Sequence, residues 1–539
     1  MYFISGNIFV IRESIFRFFA RQLLMFKIST VFIYIIINLN NLIYGNLFVN
    51  ENYTRSKNQN TFDISYSIEP FYDINVFRFI VVLEFKGDKS GETLIQLPEE
   101  FGGQQHSNGI KFLKTLSESS AIYETDKPDQ KIVKYPPNST VKIYYQIEES
   151  RDDDLELGNH YMVVLNRKFF HFLGETFFII PLLDWTSEFK IRLVWNHMPS
   201  TWNLANSFGI NEKVQDLKLP LWKFKYSVFS GGDFRIHKRI INNNPIYLSI
   251  RGRWNFNDDQ LLDVVRDIIR IERDFWNDHN FPFFLLTVLP IEGSGDQGGT
   301  GRINSYALFL SSDRIIDYRL KRIIAHEAFH TWVGEKMQFA EQEQLVYWFK
   351  EGFCDYYTRL LLLRAKLITL SEYVEEYNKI LYAYYTSSVR YEKNERVVKE
   401  FWTDQNIMKL PYMRGDIIAH NLNAYIKQNS NGTKSLDDFM HDLMRRCQNE
   451  SLVISNGSLS AMIRFYTGEQ TLSEIMRVLN SNAVLRAHPN ALGQCFKMRT
   501  DSFKKFWLIG EQFEVPVYEY KSETSTASDK KCLEWFGAN

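Results

Sequence analysis

Cysteine is scarce in this sequence, with four residues among 539. Small disulfide scaffolds and zinc ribbons need closely spaced cysteine pairs, whereas Cys354, Cys447, Cys495 and Cys532 are far apart. The spacing leaves room for one optional bridge, such as Cys447 to Cys495, and favours unpaired thiols. A disulfide framework is therefore excluded as the basis of the fold.

An excess of charge is also missing. The chain has 63 Lys and Arg against 64 Asp and Glu, a formal net charge of -1 and a pI near 6.9. Such a balance provides no global basic field for nucleic acid or an acidic membrane surface. The composition, 45% apolar and 24% charged, is that of a folded protein. We expect no nucleic-acid partner and a substrate that is recognised locally.

The apolar run near the N terminus, Ile28 to Ile37, is short. A membrane-spanning helix needs about 20 apolar residues. The run follows Met25 and a lysine and precedes polar asparagines, which is the order of regions in a signal peptide. We predict that residues 1–45 are a signal peptide of a secreted or periplasmic protein, or alternatively an N-terminal membrane anchor. Residues 46–61 are predicted to be a polar linker, and no stable membrane partner is expected unless the N-terminal segment is retained.

The rest of the chain predicts a multidomain α+β protein. Between residues 62 and 250, β-branched and aromatic residues alternate between turn formers, which indicates a β-sandwich-like domain; the predicted strands lie at 75–86, 139–147, 177–183 and 189–195. Residues 251–480 have mainly helical periodicity, and residues 481–539 are a tail expected to pack on the body or to add a few strands. Further helices are predicted at 258–279, 371–387, 415–428, 435–447 and 471–480.

The segment AHEAFH, residues 325–330, contains a pattern that is typical of zinc sites. It lies in a predicted helix over residues 314–336, where His326 and His330 share one face because residues four apart are neighbours. Glu327 is placed beside an ion bound by the two imidazoles. The alternative interpretation is a core helix whose histidines are hydrogen-bonded internally.

A catalytic zinc needs a third protein ligand and an open position. The next predicted helix, residues 341–366, contains Glu351 among Trp348, Phe349 and Phe353. A carboxylate in such surroundings is costly unless it is paired or metal-bound. Glu351 is therefore the predicted third ligand, and Asp355, one turn further on the same face, is predicted to orient a ligating histidine.

These residues carry a family resemblance. HEAFHTW at 326–332 and WFKEGFCDYYTRLLLLRAKL at 348–367 resemble the zinc-ligand region of the glycyl aminopeptidase family of gluzincin metallopeptidases. The resemblance implies a thermolysin-like, mainly helical catalytic domain and one zinc ion bound by His326, His330 and Glu351, with Glu327 as general base. It also implies a peptide or protein substrate.

A second resemblance lies downstream. PYMRGDI at 411–417 resembles the Tyr-x-Lys-Gly segment of the related alanyl aminopeptidases and leukotriene hydrolase. By this resemblance Tyr412 donates a hydrogen bond to the oxyanion. A phenol is suited to that role because it stabilises negative charge without competing for zinc. The alternative is a tyrosine that only packs near a helix start.

The glycine-dense loop GSGDQGGTGRINSYAL at 293–308 resembles the substrate-edge segment of aminopeptidase relatives, followed by a strand at 306–310. Gly301 and Asn304 are the predicted substrate-edge residues. In the relatives a glutamate precedes the asparagine and binds the free amine, but Ile303 stands there in this sequence. Asp296 is a second candidate for that role, and the loop is alternatively a flexible lid.

Three functions remain open from the sequence. The first is a zinc peptidase acting as an aminopeptidase, and the second is a zinc endopeptidase or other hydrolase on the same scaffold. The third is a catalytically inactive binding protein of this fold. Retention of Glu327 with a complete ligand set favours an enzyme, because a binding protein has no physical reason to keep the base.

Overall fold

Residues 62–250 form mostly strands in the computed structural model, which describes residues 62–72, 76–98, 100–101, 104–149, 154–340, 342–504, 512–521 and 530–538. The predicted signal peptide and linker lie outside the described residues. The strands are β1 (Ile64–Tyr72), β2 (Phe77–Lys86), β3 (Glu92–Gln96), β4 (Glu100–Phe101), β5 (Gln104–Gln105), β6 (Ile110–Thr115), β7 (Ala121–Glu124), β8 (Gln130–Lys134), β9 (Thr140–Ile147), β10 (Val164–Leu165), β11 (Phe169–Leu173), β12 (Ile180–Pro181), β13 (Glu188–Trp195), β14 (Asn203–Asn206), β15 (Gly209–Ile210), β16 (Val214–Pro220), β17 (Val228–Gly232), β18 (Arg235–Ile241) and β19 (Asn244–Ile250). Two short helices, α1 (Gly174–Phe177) and α2 (Leu221–Lys225), and a 3-10 turn at His106–Gly109 interrupt them.

The outer sheet has six strands in the order β16-β13-β1-β2-β9-β6. Its strands are antiparallel except for β1 and β13, which pair in parallel. In β1 the side chains of Ile64, Tyr66 and Ile68 are buried and alternate with partly exposed polar residues. Because successive side chains of a strand point to opposite faces, this alternation places one face of β1 on the core. A separate four-stranded sheet, β12-β3-β8-β7, lies beside it.

The next sheet, β10-β11-β17-β14-β15, is covered on both faces. Phe170 of β11 packs on the outer sheet, with its ring centroid 5.1 Å from that of Phe79. The opposite face, with Phe169 and Leu173, packs against Leu289 and Phe309 of the following sheet. Because both faces are buried, β11 (FFHFL) is a continuous apolar run instead of an alternating one.

A mixed sheet of five strands links the two parts of the chain. Its order is β18-β19-β20-β22-β21, where β20 is Phe284–Ile291, β21 is Gln297–Arg302 and β22 is Ser305–Ser311. The sheet therefore continues across residue 250, and residues 62–539 form one compact unit; the domain limits drawn from the sequence stay a prediction. The glycine-dense segment, predicted as a loop, contains the edge strand β21.

The C-terminal half is mainly helical. Its helices are α3 (Asp258–Trp276), α4 (Tyr318–Phe329), α5 (Tyr347–Arg364), α6 (Leu370–Tyr385), α7 (Asn394–Glu400), α8 (Gln405–Asn429), α9 (Leu436–Asn449), α10 (Asn456–Thr467) and α11 (Glu469–Asn480), with a 3-10 turn at Glu343–Val346. One core cluster joins them to the inner face of the mixed sheet. The α+β class, with a sheet-rich N-terminal region and a helical C-terminal region, is confirmed.

Several helix boundaries differ from the sequence predictions. The helix predicted over 314–336 is shorter, because Asp317 caps α4 through Leu320 N and the backbone leaves helical geometry at Val333 and Gly334. Helix α8 begins ten residues before the predicted start at 415 and contains Pro411. Helices α7 and α10 were not predicted.

The tail forms a hairpin of β23 (Phe496–Lys504) and β24 (Gln512–Tyr520) and a short helix, α12 (Lys530–Glu534). A disulfide joins Cys495 to Cys532, so the prediction of unpaired thiols is wrong for these two residues, and the optional bridge from Cys447 to Cys495 is wrong as well. Cys354 and Cys447 are free. Among the described residues, no helix is long and apolar enough to cross a bilayer.

Candidate metal centre

Helix α4 brings the two predicted histidines together. His326 is buried and His330, at the helix end, is half-buried, and their Nε2 atoms are 3.1 Å apart. The spacing of four residues puts both side chains on one helix face. Their ring planes are nearly perpendicular, at 86°. Two imidazole nitrogens therefore converge on one point.

Glu351 of α5 completes the cluster. Its Oε2 lies 3.2 Å from His326 Nε2 and 3.4 Å from His330 Nε2. Burial raises the pKa of the Glu351 carboxyl, but the facing imidazoles outweigh burial and hold the pKa well below its usual value. The carboxylate is therefore ionised and available as a ligand.

The donor set fits zinc. Ligands bound to zinc at about 2.0–2.2 Å in a tetrahedron lie roughly 3.3 Å apart, which is close to the separations of the three donor atoms here. Two neutral imidazoles and one carboxylate leave the fourth position open, as in catalytic zinc sites. Within the described part of the chain, His326, His330 and Glu351 are the one group of this kind that the structure brings together.

Asp355 lies behind His326, on the side of the ring that faces away from Glu351. Its Oδ1 is 2.8 Å from His326 Nδ1, and both of its oxygens accept hydrogen bonds from Arg322. Burial raises the pKa of Asp355, but Arg322 and His326 outweigh it and hold the pKa below its usual range. An ionised Asp355 holds the proton on Nδ1 and directs Nε2 toward the metal position.

His330 is oriented by the backbone. Its Nδ1 lies 2.9 Å from the carbonyl oxygen of Val333. This contact requires the break in the helix, where Gly334 has φ of +147°, a conformation that favours glycine. The Sγ of Cys354 also approaches Nδ1, at 3.6 Å. The irregular end of α4 is thus part of the site.

Glu327 contacts the predicted substrate edge. The backbone N–H of Gly301 in β21 donates to Glu327 Oε2 at 3.0 Å. Asn304 lies in the turn between β21 and β22, with φ of +49°, and its carbonyl accepts from Leu285 N. Asp296 precedes β21, five residues from Gly301, or about 16 Å along an extended strand. The structure does not bring Asp296 to the site.

Tyr412 reaches the cluster from α8. Its ring stacks beside His326 with a centroid separation of 5.8 Å. Burial raises the pKa of Tyr412 well above its usual value, and the nearby carboxylates of Glu351 and Glu327 raise it further. The phenol therefore keeps its proton and acts as a hydrogen-bond donor.

Three neighbouring residues were missed by the sequence analysis. Arg322 lies four residues before His326, and this spacing is a signal that was available. Glu175 of α1 pairs with Arg302 of β21, which also donates to the Gly301 carbonyl at 2.7 Å. Residues 177–183 were interpreted as a strand, and no local pattern connects Glu175 to a site 150 residues away.

Comparisons with known proteins agree with this arrangement. The sequence profile of the M61 glycyl aminopeptidases matches residues 319–408, which include all of α4 except its first residue, all of α5 and the three predicted ligands. A comparison with curated protein sequences found no match.

Two solved structures share the fold. An aminopeptidase N family protein from Idiomarina loihiensis has a TM-score of 0.67 at 15% identity, covering 81% of this chain and 79% of that chain. A mutant M1 zinc metallopeptidase from Deinococcus radiodurans, bound to a Tyr-Ser-Ala substrate, has a TM-score of 0.50 at 12% identity, covering 79% of this chain and 94% of that chain. With the profile match, these findings confirm the predicted resemblance to the glycyl aminopeptidases over the region that carries the metal centre, on a fold shared with the two solved structures.

Proposed function

We propose that the protein hydrolyses peptide bonds in peptide or protein substrates, with one zinc ion held by His326, His330 and Glu351. The observation that carries the proposal is the convergence of three donor atoms beside Glu327 and Tyr412. We also propose that residues 251–480 have a thermolysin-like arrangement, supported by the two successive ligand helices.

Each residue has a defined task in this proposal. Zinc, when bound, lowers the pKa of a coordinated water and polarises the scissile carbonyl. Glu327 takes the proton from the attacking water and passes it to the leaving amine. Tyr412 donates a hydrogen bond to the oxygen that becomes negative during attack. Asp355 keeps His326 in the tautomer that presents Nε2 to the metal.

The substitution Glu327→Gln tests the role of the base. The amide keeps the size of the side chain but accepts no proton, so we expect kcat to fall by at least about a hundredfold while zinc remains bound. Zinc content by atomic emission and peptide turnover are measured on the same sample. Glu343→Gln, a change in the turn before α5, is the matched control. Undiminished turnover in Glu327→Gln would refute the mechanism.

The preferred specificity is that of an aminopeptidase, as the fold relatives suggest. An endopeptidase is the second candidate. The buried Ile303 stands where the relatives have the acid that binds the substrate amine, and the carboxylate of Glu175 is already paired with Arg302. A peptide offered with a free or an acetylated N terminus separates the two. Faster cleavage of the free form supports the aminopeptidase, and equal cleavage of both forms supports the endopeptidase.

We propose export as the location of the protein, with residues 1–45 as signal peptide and membrane anchoring as the alternative. The Cys495–Cys532 disulfide supports an oxidising compartment, where such bonds persist. Mass spectrometry of the protein from its source cells tests this. A mature N terminus near residue 45 supports cleavage, whereas a reduced protein that retains Met1 in the cytosol contradicts export.

A further inference from the structure

Helices α5 and α8 touch backbone to backbone beside the metal centre. A Cβ at position 415 would lie 1.7 Å from the carbonyl oxygen of Trp348, and one at position 352 would lie 2.3 Å from the Cα of Gly415. Neither glycine has a positive φ, so backbone conformation does not demand glycine at these two positions. Glycine is needed here because the two backbones are in direct contact. The axes of packed helices are usually 8–10 Å apart, depending on the side chains between them.

This crossing brings Tyr412 to the metal ligands. Gly352 follows the ligand Glu351 directly, and Tyr412 lies three residues before Gly415, which makes them neighbours on one face of α8. The Tyr412 ring lies beside the ring of the predicted ligand His326, with the two centroids 5.8 Å apart. A displacement of α8 relative to α5 therefore moves the phenol away from the position where the oxyanion develops.

A buried ion pair lies further along the same interface. Arg359 Nη2 donates to both oxygens of Asp416 at 2.7 and 2.8 Å, and both side chains have no exposed surface. Arg359 is four residues after Asp355 on α5, and Asp416 is four residues after Tyr412 on α8. Each member of the pair is thus one turn from a residue of the site.

The pair is part of a larger network. His420 Nδ1 is 3.0 Å from Asp416 Oδ1, and His420 Nε2 is 2.9 Å from the hydroxyl of Tyr373 on α6. The guanidinium of Arg359 also lies over the rings of Tyr373 and Tyr377. A buried ion pair adds little net stability over an apolar pair, but it is directional, and a shift of one helical turn breaks it.

We propose that the Arg359–Asp416 pair is a positioning device: across the Gly352–Gly415 crossing it fixes the register of α8 on α5 and so holds Tyr412 at the metal centre. The inference rests on the proposed function, because it concerns the placement of Tyr412 in that reaction. It goes beyond that function by assigning a role to two residues that contact neither substrate nor metal.

The first test observes Tyr412 directly and needs no turnover. 3-Fluorotyrosine is incorporated at position 412 of the full-length chain, and its ¹⁹F resonance is recorded with Asp416 intact and with Asp416→Asn. The amide keeps the shape of Asp416 but removes the charge that holds Arg359. We expect a shifted or broadened resonance, since the ring no longer has one fixed position beside His326. An unchanged resonance would overturn the proposal.

The second test is a double-mutant cycle with Tyr412→Phe. Asp416→Asn is expected to lower kcat about tenfold or more, because small misplacements of a catalytic group are costly, with KM and zinc content unchanged. In the Tyr412→Phe background the same change is expected to lower kcat less than about twofold. An equal loss in both backgrounds would overturn the proposal, because the pair would then act independently of Tyr412.

Two further variants keep the outcome interpretable. Ile475→Val in α11 is the matched control, since it weakens the core away from the crossing and should change neither the resonance nor kcat. If Asp416→Asn does not fold, Arg359→Lys replaces it in both tests, because lysine retains the positive charge but lacks the planar guanidinium. Arg359→Lys should change the ¹⁹F resonance and kcat in the same direction but to a smaller extent. If Tyr412→Phe alone leaves kcat unchanged, the proposed role of Tyr412 fails, and the ¹⁹F resonance still decides the positioning claim.

Discussion

At the scale of single residues, His326 has the most demanding environment. It faces Glu351 with one ring nitrogen and Asp355 with the other. Burial lowers the pKa of His326, but the two carboxylates outweigh burial and raise it to about 10. Glu351 and Asp355 therefore orient His326 for the metal and also keep it protonated when the metal is absent.

This competition predicts proton release on zinc binding. A histidine with pKa near 10 is protonated at pH 7, and only the neutral form binds metal, so zinc displaces about one proton from His326. Zinc affinity is therefore expected to rise as the pH increases toward the pKa of His326 and to fall at acid pH. Calorimetric titration of metal-free protein in buffers of different ionisation enthalpy measures the proton count. A count of zero at pH 7 would contradict the raised pKa.

Most residues of the site were predictable because a helix has a fixed period. The spacing of His326 and His330, and of Glu351 and Asp355, determines shared faces without knowledge of the tertiary fold. Glu175 was not predictable, since nothing local relates a short helix in the β-rich region to strand β21. Nor was the Cys495–Cys532 pairing, because the spacing of cysteines does not specify their partners.

At the scale of elements, the break at the end of α4 is the feature that sequence reasoning overlooked. The predicted helix continued to residue 336, since the segment has no proline. Gly334 was available as a stop signal, and the break at Val333 and Gly334 turns the Val333 carbonyl toward His330. An unbroken helix would direct that carbonyl along the helix axis instead.

The substitution Gly334→Ala is expected to weaken the site. A Cβ at φ of +147° is strained, at a cost of about 1–3 kcal/mol, and relief of the strain moves the Val333 carbonyl from His330. We expect a lower melting temperature and a zinc dissociation constant raised by about tenfold or more, measured by competition with a chromophoric chelator. Gly457→Ala, in a helix without positive φ, is the matched control. Unchanged zinc affinity in Gly334→Ala would show that the backbone contact does not orient His330.

Helix α8 shows why boundaries were less predictable than faces. Pro411 and Gly415 are usually helix breakers, and the predicted helix began only at residue 415. In the structure both lie inside the helix, and Gly415 is required by the contact with Trp348. Tertiary packing therefore outweighs local propensity at the point where the helix meets the site.

At the scale of the whole molecule, three layers of sheet support the helices that carry the site. The middle sheet has no solvent-facing side, which explains the run of aromatic residues in β11. The α+β class was predictable because the spacing of apolar residues changes along the chain, from the alternation typical of strands to the spacing typical of helices. The mixed sheet that crosses residue 250 was not, because strand pairing between distant segments leaves no local pattern.

Within the tail, the disulfide joins the start of the β23–β24 hairpin to helix α12. Cys495 and Cys532 are separated by 37 residues, and closing a loop of that length in the unfolded chain stabilises the folded state by about 3–4 kcal/mol. Cys532→Ser should lower the free energy of unfolding by about that amount in urea titrations. Cys447→Ser, which removes a free thiol, is the control. Equal stability of Cys532→Ser and the parent would show that the bridge does not form in solution.

The central claim is that His326, His330 and Glu351 bind one zinc ion. An anomalous difference map collected at the zinc edge, from crystals of protein purified without added metal, tests it most directly. We expect a single peak at about 2.0–2.2 Å from one nitrogen of each histidine and a Glu351 oxygen. A zinc peak at another set of residues, or none in active protein, would contradict this claim.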